Sequence, residues 1–190
     1  MTSITAPRAD RQRPVDEADI TRASGYGEWT GFAVPDDRSA WHPHCRSFYD
    51  YWLRITPPGR LPGREHVSPF DIVPLLSRVW MLDVVRHPLR FRYRLVGTGE
   101  ALTLGRELTG QWVDEAHPEF LRSPALQDRY RYMADCGQPT WRRGPARWRH
   151  DPRHLIIENC IVPLARDGVT VDILFAFSMA FFANGKPVPV

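Results

Sequence analysis

Lysine is nearly missing from this sequence: of 25 basic residues only Lys186 is a lysine, and the rest are arginine. That bias favours planar, bidentate contacts with anions, and it follows equally from a GC-rich genome. Cysteine is also scarce, occurring only at Cys45, Cys136 and Cys160. An odd number, widely spaced and without a CxxC pair, excludes a disulfide framework and a zinc knuckle and leaves buried free thiols as the reading. No long hydrophobic run is present. The longest, residues 173–183, is interrupted by Ser178 and falls well short of the ~20 apolar residues that span a bilayer. The opening MTSITAPRADRQRPVDEAD contains no apolar signal core, so neither membrane insertion nor export is expected, and a cytoplasmic protein is. Charge of one sign is lacking too. The net charge of +3 is too small for a typical nucleic-acid binder, and no reading element accompanies it.

What remains fits one domain. The 190 residues are close to the ~150 typical of a single domain, and such a core needs no covalent staple. Residues 1–38 are polar and end in the turn-rich Pro35-Asp36-Asp37, which predicts a loosely ordered arm. The domain proper is expected over residues 39–183, with a short tail at 184–190.

Trp41, Cys45, Phe48, Trp52 and Ile55 then recur at helical spacing, which predicts an amphipathic helix entered at Pro43 and stopped by Pro57-Pro58-Gly59. Two tryptophans on one short stripe suggest an interface, and Trp41, Phe48 and Trp52 are the candidate surface for a homodimer or another signalling protein. Ser68 and Asp71 have the spacing of a capping box. Residues 79–85 read as a strand. In the next strand Phe91, Tyr93 and Leu95 alternate with Arg92 and Arg94, and the two form an antiparallel hairpin. Leu126, Tyr130 and Met133 mark a later helix stopped at Gly137. Strands follow at 140–148, 154–164 and 169–182, with Asp167-Gly168 as the last turn. Strands and helices without strict alternation predict an α+β fold with an antiparallel sheet.

Several stretches in order resemble one family. They are Tyr51-Trp52, Leu61-Pro62-Gly63-Arg64, Asp71-Ile72-Val73-Pro74-Leu75-Leu76, Val79-Trp80-Met81-Leu82-Asp83-Val84, Phe91-Arg92-Tyr93-Arg94-Leu95-Val96-Gly97-Thr98 and Gly105-Arg106-Glu107-Leu108-Thr109-Gly110. Over residues 41–180 the chain is similar to a short, largely stand-alone alphaproteobacterial PAS-domain family. The resemblance implies a five-stranded antiparallel sheet in the order 2-1-5-4-3 flanked by helices. It also implies sensing or protein interaction, and no catalytic residues. The flavin-binding class carries an Asn-Cys-Arg-Phe motif, whereas Asn159-Cys160 is followed here by Ile161-Val162, so a flavin is not expected. Haem is not expected either, because residues 126–137 offer no histidine as axial ligand. The cofactor therefore stays unknown. No output segment follows Phe182, so a sensed state is expected to pass to another chain.

Other chemistry is sparse. Gly97-Thr98-Gly99 lacks the third glycine of a dinucleotide loop and reads as a turn. His42, His44 and Cys45 include metal-ligating types, but Cys45 lies on the apolar stripe, and no metal is expected. Arg142, Arg143, Arg147, Arg149 and Arg153, with Trp141 and Trp148, form a candidate anion patch. Asp83 and Tyr93 are expected to meet across the hairpin, as a structural hydrogen bond rather than a proton-transfer pair. The candidate ligand pocket is the inner sheet face, with Phe91, Tyr93, Tyr130, Met133, Ile157, Phe175 and Phe177 as lining. The resulting reading is a non-catalytic sensory or adaptor module that binds a partner protein and a small ligand. Its alternatives are an anionic-ligand binder using the pocket or the arginine patch, and a small enzyme using Asp83 and Tyr93.

Overall fold

The computed structural model of the protein describes residues 33–146, 150, 151, 153, 154 and 156–189. Its elements run α1 (Pro43–Ile55), two 3-10 segments (Arg64–His66 and Pro69–Arg78), β1 (Val79–Val85), β2 (Arg90–Val96), α2 (Thr98–Leu104), α3 (Val113–Ala116), a 3-10 turn (Pro118–Arg122), α4 (Pro124–Cys136), β3 (Thr140–Pro145), β4 (Ile156–Leu164) and β5 (Ile173–Phe181). The strands form one antiparallel sheet in the order β2-β1-β5-β4-β3. This is the α+β architecture that the sequence predicts.

Two apolar clusters sandwich the sheet. On its outer face lies α1, started by Pro43 and by the His42 imidazole, whose Nδ1 accepts from the His44 backbone N–H at 3.2 Å. Phe48 meets Phe175 edge-on at 4.7 Å and lies beside Phe177 at 5.9 Å. The Trp52 indole N–H donates to the Pro163 carbonyl at 3.0 Å, and Trp41 stacks on Trp141 at 5.0 Å. On the inner face, Leu82, Phe91, Tyr93, Leu174 and Ala176 pack against Phe120, Leu126, Tyr130 and Met133. Arg90 fixes this helical layer to the sheet through a two-armed contact with Asp114 at 2.9 and 3.0 Å.

The helix stripe was expected to face a partner, and the structure corrects that expectation. Trp41, Phe48 and Trp52 are buried in the chain's own core against β4 and β5, leaving them no area to offer a second molecule. The Asp83–Tyr93 pair is corrected as well. A bulge between Met81 and Leu82 sets Tyr93 opposite Leu82 and Asp83 opposite Arg92. Asp83 then points outward to Arg92 at 3.1 Å and Arg94 at 2.8 Å. Ser68 makes no side-chain cap; its backbone N–H donates to the Tyr51 hydroxyl at 2.8 Å instead.

Both chain ends of the described region pair with the sheet, Ala33 with Thr140 and Pro187 with Phe181. The expected arm falls largely outside the described residues. Among the described residues no helix is long and apolar enough to cross a membrane.

Candidate functional site: a cavity on the inner sheet face

Because strand side chains alternate, in-register residues on one face form a row across the sheet. On the inner face Arg142 of β3 pairs with Asn159 of β4, which pairs with Ser178 of β5. The Trp80 indole of β1 continues the row, donating to Ser178 Oγ at 2.8 Å. Four polar groups thus interrupt an otherwise apolar surface. They floor a cavity of about 40 Å³, room for roughly three waters.

The roof comes from the helices. Glu100 and Leu104 descend from α2, and Leu126, Arg129 and Tyr130 from α4, with Tyr93 and Ile157 closing the sides. The placement of α2 depends on Gly97, its N-cap. A Cβ there would lie 2.6 Å from the carbonyl oxygens of both Leu76 and Ser77, so only glycine lets the helix start this close to the preceding 3-10 segment.

Glu100 is 5% exposed and accepts no hydrogen bond from any described residue. Burial raises its carboxyl from 4.5 to about 7, against a smaller downward pull from the Arg78 guanidinium. Asn159, 8% exposed, has its Oδ1 buried without a partner among the described residues. The other liners have work elsewhere. Arg129 Nε donates to Thr140 Oγ1 at 2.9 Å, and burial lowers the guanidinium to about 10. Burial likewise pushes the Tyr130 phenol up to about 12. Tyr93, also raised by burial, shares a 3.1 Å hydrogen bond with His117 Nε2, which burial and Arg106 lower to about 4.

Of the pocket residues expected from sequence, Tyr93, Tyr130 and Ile157 line the cavity. Phe91 and Met133 sit in the inner cluster behind it, Phe91 edge-on to Tyr130 at 5.2 Å. Phe175 and Phe177 belong to the opposite face, under Phe48. Sequence reasoning missed Glu100, Asn159 and Ser178 as cavity residues. Their signal was a polar residue interrupting an apolar strand, which Asn159 and Ser178 both do.

The expected arginine patch is not one surface. Successive residues of β3 point to opposite faces, so Arg142 enters the cavity while Arg143 reaches Glu158 at 3.2 Å and lies over the Phe181 ring. Arg153 is held by Asp151, and Arg147 and Arg149 fall outside the described residues. Cys45 and Cys160 are both in the outer core, so the thiol following Asn159 is turned away from the cavity. A flavin ring system does not fit a space of about 40 Å³ without rearrangement. Among the described residues no group of three or more His, Cys, Asp or Glu is placed to hold a metal ion.

Comparison with known proteins gives one family match, to a model described as PAS domain, over residues 40–167. No curated protein matches the chain. Three solved chains match. One, described as an RNA-binding Light-Oxygen-Voltage receptor, is 16% identical with a TM-score of 0.42, and the alignment covers 68% of this chain and 38% of that one.

Proposed function

The chain belongs to the PAS-domain family, and from that premise we propose that it is a non-catalytic sensory module that reads a small molecule in the inner-face cavity and passes its state to a partner protein. The observation that carries this reading is the buried Asn159 Oδ1, which opens on the cavity without a hydrogen-bond partner among the described residues, with the largely buried Glu100 lining the same cavity. Buried polar groups in folded proteins are nearly always paired, and unpaired ones mark places where something else completes the structure. Both stand on elements able to transmit a change, Glu100 on α2 and Asn159 on the central part of β4. The enzymatic alternative loses its support, because Asp83 and Tyr93 lie on opposite faces of the sheet. The partner contact is left to surfaces outside the buried stripe of α1.

Native mass spectra of the protein purified without added cofactor test the reading. The expected result is a non-covalent adduct, lost on denaturation, that Asn159→Leu does not carry. Bare chain mass in the wild type, together with unchanged hydrogen exchange in α2 and α4 when small molecules are added, would count against it.

A further inference from the structure

The free hydrogen-bonding capacity around the cavity is specific in kind. Asn159 presents an amide whose carbonyl and amino ends both lack partners among the described residues. Beside it in the row, Ser178 Oγ accepts from the Trp80 indole, which leaves its hydroxyl proton to donate. From the roof, Glu100 offers acceptor oxygens, and among the described residues no donor reaches them. An asparagine amide pairs best with an adjacent N–H and acceptor, through two antiparallel hydrogen bonds, as in its bidentate reading of adenine. If the ligand group is a primary amide or a urea, at least one N–H remains after that pairing, and Glu100 lines the same cavity to accept it. A cation would face the Arg129 and Arg142 guanidiniums that share the lining, and an anion would be opposed by the Glu100 carboxylate only where that group is ionised, above about pH 7. The volume of about 40 Å³ limits the enclosed part to about four non-hydrogen atoms.

We propose that this cavity is a binding site for a small neutral molecule carrying a primary amide or urea group, held by Asn159 and Ser178 on the sheet and by Glu100 on α2. The proposal rests on the sensory reading above and names the class of molecule sensed.

Four probes of nearly one size and shape separate the alternatives: acetamide, acetate, acetamidinium and acetone. Each is titrated at pH 8, where Glu100 is ionised, into ¹⁵N-labelled protein while the Asn159 side-chain amide signals are followed. Acetamide should bind saturably, with a Kd of about 1 mM as expected for so few atoms, and at least about tenfold tighter than the other three. Asn159→Asp removes the amino donor and should turn the preference to acetamidinium. Glu100→Gln removes the repulsion of anions and should cut the discrimination against acetate at least about threefold, which keeps the test available if Asn159→Asp does not fold. Preference for acetate, acetamidinium or acetone in the wild type would overturn the ligand class and leave a ligand-reading cavity standing. Failure of all four to enter would overturn both.

Discussion

Two buried glutamates, one on each side of the sheet, solve the same problem differently. Glu158 on the outer face is fully buried, and three donors satisfy it: the His42 backbone N–H at 2.8 Å, the Trp141 indole at 3.2 Å and the Arg143 guanidinium at 3.2 Å. Burial raises its carboxyl, and these bonds oppose the rise. Its ligands come from the start of α1 and from β3, so it ties the helix to the sheet. Glu100 on the inner face is nearly as buried and has no donor among the described residues, and burial lifts it to about 7. A satisfied buried acid builds structure, while an unsatisfied one stores a demand that a ligand or a proton can meet. The contrast is the ground for placing the proposed ligand site on the inner face.

The largest expected effect breaks the outer side. Glu158→Ala takes their shared acceptor from a half-buried guanidinium, an indole N–H and a backbone N–H, and should cost about 3–5 kcal/mol in urea unfolding. An effect under about 1 kcal/mol would erase the contrast.

Next in size is the pH response of the inner face. Glu100 titrates near 7 when folded against an ordinary 4.5, so the folded state binds more protons there than the unfolded chain. Its contribution is fully present below about pH 4.5 and is lost as pH rises to about 7. His117 runs the other way, folded near 4 against an ordinary 6.5, so its contribution is present above about 6.5 and lost as pH falls to about 4. The two offset between about pH 4.5 and 6.5. Glu100→Gln should therefore be more stable than wild type at pH 8, by on the order of 3 kcal/mol, and that advantage should vanish at pH 4.5. Parallel curves for the two proteins would show that Glu100 is not the group lifted by burial.

A smaller effect sharpens the comparison. Asn159→Leu removes a buried carbonyl oxygen that has no partner among the described residues, so its stability should stay within about 1 kcal/mol of wild type, or exceed it, while binding of acetamide is abolished. Smallest of all, Arg94→Ala removes one exposed arm of the Asp83 contact and should change the unfolding midpoint by less than about 1 kcal/mol equivalent.

Much of this architecture was legible because periodicity is local. The three- and four-residue spacing from Trp41 to Ile55 and the alternation of Phe91 to Leu95 point to α1 and β2, element order points to an antiparallel sheet, and its strand order came with the family resemblance. What the α1 stripe packs against was not legible, since an apolar stripe looks the same whether it meets its own sheet or a second molecule. Phe175 and Phe177 went to the wrong face for a related reason: β5 is buried on both sides, so its sequence lacks the alternation that would assign one. Arg142 and Arg143 were read as one patch, although adjacent strand residues diverge. Glu100 was hidden because Gly97-Thr98-Gly99 reads as a turn, while the close approach of Gly97 to Leu76 and Ser77 is what starts α2 there. Cavity residues converge from five strands and two helices, a relation that no window of sequence contains.

The most direct measurement is a ¹³C carboxyl titration of Glu100, with and without saturating acetamide. Charged and titratable groups face this carboxyl from each neighbouring element: Arg78 from the 3-10 segment, Tyr93 from β2, Arg129 and Tyr130 from α4 and Arg142 from β3. The account predicts a midpoint near 7 in the free protein. Acetamide should lower that midpoint, because an N–H donated to the carboxylate favours its charged form. A midpoint near the ordinary 4.5, unmoved by acetamide, would contradict the claim that the inner face holds an unsatisfied acid awaiting a ligand.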